Sequence, residues 1–171
     1  MKIALIGNAP ARRDCSAEID AADFVARINH CAGLGGRYGS RVDALFLTPT
    51  SAWLFHPLRE KAAAACRAAR AKIFVAKNFF MTRSRAFRED FDGLDVERLR
   101  VAPGRERWTT GTLALAALAE KFPGAEIRLY GFSRTEAEFR DYLRREGPWH
   151  LDAATEETRF RAESGAKYSQ S

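Results

Sequence analysis

Short apolar runs alternate with longer amphipathic stretches along this chain, and the apolar runs stop at turn-forming or polar residues. The first, Lys2-Ile3-Ala4-Leu5-Ile6, ends in Gly7-Asn8-Ala9-Pro10 and predicts a buried strand entering a tight loop. Residues 22–28, carrying Phe24, Val25 and Ile28, predict a second strand that ends at Asn29. Residues 43–47 predict a third, ending at Thr48-Pro49. The glycine-rich stretch 33–39 between them is expected to be a flexible loop.

Residues 57–70 are alanine-rich, lack an internal breaker and predict a helix, followed by a strand over 72–76. A short basic helix over 83–91 and a strand over 98–102, stopped by Pro103-Gly104, come next. Thr109-Thr110-Gly111-Thr112 then precedes Leu113, Leu115, Ala116, Leu118, Ala119 and Phe122, and Pro123-Gly124 ends the run, as a capped helix requires. A strand over 125–130 and helices over 135–145 and 153–162 complete the pattern, with Trp149-His150 in the connection between those helices. Alternation of this kind predicts an α/β, Rossmann-like domain, a mostly parallel sheet with helices on both faces. The expected organisation is one domain over 1–162 and a flexible tail over 163–171.

Composition narrows the class without changing the fold. The 171 residues are 46% hydrophobic and 29% charged, ordinary for a globular domain. The N-terminal apolar run is shorter than the core of a signal peptide, and no stretch reaches the roughly 20 apolar residues that span a bilayer, so a cytoplasmic protein is expected. Cys15, Cys31 and Cys66 are widely spaced and odd in number, which predicts reduced thiols and neither a disulfide framework nor a zinc site. A formal charge of +6 fits an anionic partner: nucleic acid, a phosphorylated small molecule or an acidic membrane surface.

In open α/β sheets, ligands bind outside the carboxyl ends of the strands. Gly7-Asn8 at the first of these ends is either an amide aimed at a phosphate or ribose or an ordinary Asn turn. Thr109-Thr110-Gly111 is either an anion site at a helix N-terminus or a plain N-cap. His150, with Asp152, Glu156 and Glu157 behind it, is either a general base oriented by a carboxylate or a residue packing at a helix start. His30 and His56 have no such context and are expected to be surface or loop residues. The glycine run 33–39 lacks the Lys-Ser/Thr ending of a P-loop.

Taken in order along the chain, these segments resemble the sialyltransferases. Residues 3–10, then Glu18-Ile19-Asp20 through Asp23-Phe24-Val25-Ala26-Arg27-Ile28-Asn29, then Gly39-Ser40-Arg41 before Asp43, are similar to the large donor-binding motif of that family. Trp108-Thr109-Thr110-Gly111 through Ile127-Arg128-Leu129-Tyr130-Gly131-Phe132 is similar to its small motif, and His150 followed by Glu156 or Glu157 to its very short C-terminal motif.

The resemblance implies that Asn8 and Asn29 contact the phosphate and ribose of a CMP-sugar. It implies that Thr109, Thr110 and Gly111 face the nucleotide or the sugar carboxylate, and that Tyr130, Gly131 and Phe132 line the cytidine pocket. His150 would be the catalytic base, with Asp152, Glu156 or Glu157 as its partner. The implied protein is a metal-independent, inverting glycosyltransferase that moves sialic acid or a related acidic sugar from CMP to a glycan acceptor. It would need no cofactor, bind no nucleic acid and have the inner face of an acidic membrane as a peripheral site. The family's disulfide cysteines and its separate His-Tyr motif are absent, so the alternative is a CMP-sugar-binding protein without transferase activity.

Overall fold

The computed structural model describes residues 1–9, 11–106, 108–132 and 168–170. Among these residues seven strands form one sheet in the order β5-β4-β3-β2-β1-β6-β7, and every pairing between them is parallel. The strands are β1 (Lys2–Ile6), β2 (Phe24–Ile28), β3 (Ala44–Leu47), β4 (Lys72–Val75), β5 (Val96–Arg98), β6 (Glu126–Tyr130) and β7 (Tyr168–Gln170). The helices are α1 (Ser16–Asp20), α2 (Ser51–Leu54), α3 (Arg59–Ala69), α4 (Arg85–Asp90) and α5 (Thr110–Lys121), with a 3₁₀ segment at Phe79–Arg83. This is the α/β, Rossmann-like architecture expected from the alternation of runs.

The chain steps outward from β1 to β5, then returns along α5 to place β6 on the other side of β1. Strand order therefore reverses at β1, which makes its carboxyl end the switch point where such sheets hold ligands. The period-2 side-chain alternation divides the core into two layers. Ile3 and Leu5 join Ala26, Ile28, Phe46, Phe74, Ile127 and Leu129 under Ala114, Leu115 and Leu118 of α5. On the opposite face Ala4, Ile6 and Val25 pack on Ile19 of α1, while Leu45, Leu47, Ile73 and Val75 pack on α3 and α4.

Local chemistry fixes the element ends. Thr109, Ser84 and Thr50 each accept a hydrogen bond from a backbone N–H three residues on, which caps α5, α4 and α2. Arg70 closes α3 in the left-handed region with φ 51°. The fifth strand lies earlier than residues 98–102: Val96 pairs with Ile73 and Arg98 with Val75. Leu99 and Val101, the apolar pair that suggested the later strand, instead pack against the cluster of Ala76, Trp108, Leu113 and Ala116.

Residues 33–39 are an ordered turn and not the expected flexible loop. Tyr38 is buried and its hydroxyl donates to the Ala9 carbonyl at 2.9 Å. Arg27, fully buried, donates to the carbonyls of Tyr38 at 2.6 Å, Gly39 at 3.1 Å and Arg41 at 2.8 Å. The Asp20 carboxylate accepts from the backbone N–H of Ser40 and of Arg41. A side chain at Gly39 would run into that carboxylate, and φ at this residue is +67°, so glycine is required on both counts.

All three cysteines are buried and free; Cys31 and Cys66 share one apolar cluster despite their separation in sequence, and the Cys31 thiol donates to the Asn29 carbonyl at 3.9 Å. Tyr168–Gln170, within the stretch read as a tail, pair with β6 from Ile127 to Leu129. The helices expected over 135–145 and 153–162 lie outside the described residues. No helix among the described residues is long and apolar enough to cross a membrane.

Candidate functional site

The carboxyl ends of β1, β2, β3 and β6 converge with the start of α5. Asn8, just past β1, accepts from the Ala32 backbone N–H through Oδ1 at 3.1 Å. Asn29, just past β2, sits in the left-handed region with φ 49° and accepts from the Thr48 backbone N–H at 3.0 Å. A backbone N–H can only donate, so the amide atom facing it is the oxygen in each case. Both Asn8 and Asn29 therefore leave an NH₂ group without a protein partner among the described residues. Two donors at a switch point suit an anion.

Thr48 and Thr110 touch hydroxyl to hydroxyl at 2.8 Å, tying the end of β3 to the first turn of α5. Thr109 accepts from the Thr112 backbone N–H at 3.3 Å and so acts as the N-cap. The N–H groups of Thr110 and Gly111 precede the first intrahelical donor, the Leu113 N–H that bonds the Thr109 carbonyl, and point out of the helix at its positive end. Twelve residues of aligned peptide dipole stand behind them.

Close backbone approach explains the glycines here. The Gly7 N–H donates to the Tyr130 carbonyl at 2.7 Å and the Ala9 N–H to the Gly131 carbonyl at 3.0 Å. A Cβ at Gly7 would collide with the Gly131 carbonyl oxygen. A Cβ at Gly111 would lie 2.7 Å from Phe132 Cε1 and 3.1 Å from Ile28 Cδ1, so the Phe132 ring occupies the space between β1 and α5 that these two glycines vacate.

The structure thus brings Asn8, Asn29, Thr110, Gly111, Gly131 and Phe132 to one edge, with Thr109 holding the helix start. It does not bring the Tyr130 side chain there. That ring is 1% exposed and packs with Ala4, Ile6, Val25 and Tyr38 on the α1 face. Burial, reinforced by its hydrogen bond to Glu18, pushes the Tyr130 hydroxyl up to about 12. His150, Asp152, Glu156 and Glu157 lie outside the described residues.

Sequence reasoning missed a pair of histidines at this edge. His30, directly after Asn29, stacks on His56 with ring centroids 3.6 Å apart and an angle of 12° between planes. His56 Nδ1 accepts from the Leu58 backbone N–H at 3.2 Å. Burial, with the neighbouring His56, pulls His30 down to about 4. The adjacency of His30 to Asn29 was the available signal, but nothing local in the sequence announces a partner across the β3 connection. Among the described residues no group of three or more His, Cys, Asp or Glu side chains is placed to hold a metal ion.

Comparison of the chain with protein-family models and with characterised proteins gives no match.

Proposed function

We propose that this edge binds a cytidine nucleotide sugar and that the protein is a glycosyltransferase resembling the sialyltransferases. The observation that carries the reading is the convergence of two amide donors, Asn8 and Asn29, with the Thr48–Thr110 hydroxyl pair and the open N-terminus of α5 at the sheet's switch point. Each of these groups offers donors or positive potential to a phosphate. Of these positions, Asn8, Asn29 and Thr110 are among those the motif resemblance assigned to the donor, and Thr48 is added by its contact with Thr110.

In the proposed reaction the acceptor hydroxyl attacks the anomeric carbon of the CMP-sugar. Its new C–O bond forms as the bond to the phosphate oxygen breaks, and the electron pair leaves with CMP. His150 takes the hydroxyl proton. The residues at the α5 start stabilise the charge that develops on the departing phosphate. No cofactor enters this scheme; the CMP-sugar is a substrate.

Thermal shift and calorimetry with CMP, CDP, UDP, NAD and ATP test the ligand. Selective stabilisation by CMP supports the reading, and stabilisation by NAD alone sinks it. With CMP bound, transfer from CMP-sialic acid that disappears in His150→Ala while CMP affinity persists supports the transferase. Binding without turnover in the natural chain leaves a CMP-sugar-binding protein.

A further inference from the structure

A cavity lies apart from the nucleotide edge, on the sheet face that α5 packs against. It has a volume of about 430 Å³, within the roughly 300–1,000 Å³ of small-molecule sites. Its floor is Phe24, Phe46 and Phe74, with Phe46 and Phe74 stacked at 4.8 Å, and its wall is Leu118 and Phe122 at the end of α5. Phe24 and Lys72 open β2 and β4, whereas Arg98 and Arg100 lie at and beyond the end of β5, so the cavity runs along the sheet face beside the C-terminal half of α5 and shares no residue with the nucleotide edge.

The rim is cationic. Lys72, Arg98, Arg100 and Lys121 surround the cavity against two carboxylates, Glu97 and Glu120. Both carboxylates already have cationic partners: Glu97 pairs with Lys72 at 2.6 Å and Glu120 with Arg105 at 3.5 Å. Arg98, Arg100 and Lys121 have no carboxylate partner among the described residues. The ammonium groups of Lys72 and Lys121 lie 5.2 and 5.0 Å from the centroid of one ring, that of Phe74. Lys72 is held by Asp95 at 3.1 Å and Glu97 at 2.6 Å, so Lys121, beside Arg98 and Arg100, is the ring-bound cation left to meet an anion at the cavity mouth.

We propose that this cavity binds a small apolar carboxylate, its hydrocarbon part against the phenylalanine floor and its carboxylate between Lys121 and the neighbouring arginines. The phenylalanine surface supplies apolar contact, and the unmatched cations select the charged head over a neutral one. This site is independent of the nucleotide reading.

Calorimetry on the full chain with dodecanoate and with dodecanol tests the proposal. Dodecanoate is expected to bind with one-site saturation and at least about tenfold more tightly than dodecanol. Lys121→Glu, an exposed position, is expected to weaken dodecanoate by about tenfold and leave dodecanol unchanged. Ala117→Trp, which puts an indole into the cavity from the helix side, is expected to abolish both, with circular dichroism reporting that the fold persists. Equal affinity for the acid and the alcohol, no saturable heat up to about 1 mM ligand, or unchanged binding in both variants would overturn it.

Discussion

Thr48 and Thr110 share a hydroxyl–hydroxyl hydrogen bond of 2.8 Å that joins the residue just past β3 to the first residue of α5. Each hydroxyl has a second hydrogen-bonding site left for a ligand, so the pair can relay a phosphate contact without moving backbone. Thr110→Val keeps the shape and removes the hydroxyl. It is expected to cost about 1 kcal/mol of stability, the worth of one hydrogen bond. CMP affinity is expected to fall about tenfold. Calorimetric titration with CMP, beside a urea melt, separates the two effects; a variant that binds as the natural chain does removes Thr110 from the site.

Gly7 and Gly111 flank the Phe132 ring but predict different outcomes. A methyl at Gly7 meets the Gly131 carbonyl, which is held by the Ala9 N–H next to the Gly7–Tyr130 backbone bond, so Gly7→Ala must displace the end of β6 from β1. A loss of about 2–4 kcal/mol is expected, read in chemical denaturation. A methyl at Gly111 meets the edge of a ring that can turn, and alanine favours the helix by about 1 kcal/mol. Gly111→Ala is therefore expected to stay folded, shift Phe132 and lose CMP affinity.

Arg27 shows where sequence and structure part company. The central strands were legible because parallel strands buried on both faces read as continuous apolar runs, as in Ile3 to Ile6 and Ile73 to Val75, whereas the short edge strands β5 and β7 carry no such run. Helix α5 was legible from its Thr109 cap and its Pro123-Gly124 stop. An arginine inside β2 breaks the apolar pattern, and no local rule reveals that its guanidinium organises residues 38–41. The same limit hid the His30–His56 stack and the Cys31–Cys66 contact, both made across connections. At the nucleotide edge, Asn8 and Asn29 were readable because they end strands, whereas the inward-turned Tyr130 packs on residues of other elements, Ile19 of α1 and Tyr38.

Arg27 also yields a prediction. Its side chain satisfies three carbonyls with no carboxylate in hydrogen-bonding contact, and burial pulls the guanidinium down from its ordinary value. Arg27→Met strands those carbonyls and is expected to cost about 3 kcal/mol in urea unfolding. Arg27→Lys should recover little, because one ammonium cannot reproduce a planar fork spanning Tyr38, Gly39 and Arg41. Full rescue by lysine would show that charge, and not the fork, holds the turn.

The His30–His56 stack predicts a pH dependence of defined sign. His30 is held at about 4 when folded, against an ordinary value of about 6.5. Between those values the unfolded chain binds the proton and the folded chain does not, so stability falls as pH drops through that window and the loss is complete below the folded value. The full shift corresponds to about 3 kcal/mol, and partial exposure of the ring reduces this to about 2. His30→Phe keeps a flat ring on His56 and removes the titration. Urea unfolding at about pH 7 and about pH 4.5 should show the natural chain losing about 2 kcal/mol more than His30→Phe over that interval. Equal losses in the two proteins would mean that the imidazole of His30 is as easily protonated in the fold as out of it, and that the stack does not hold it neutral.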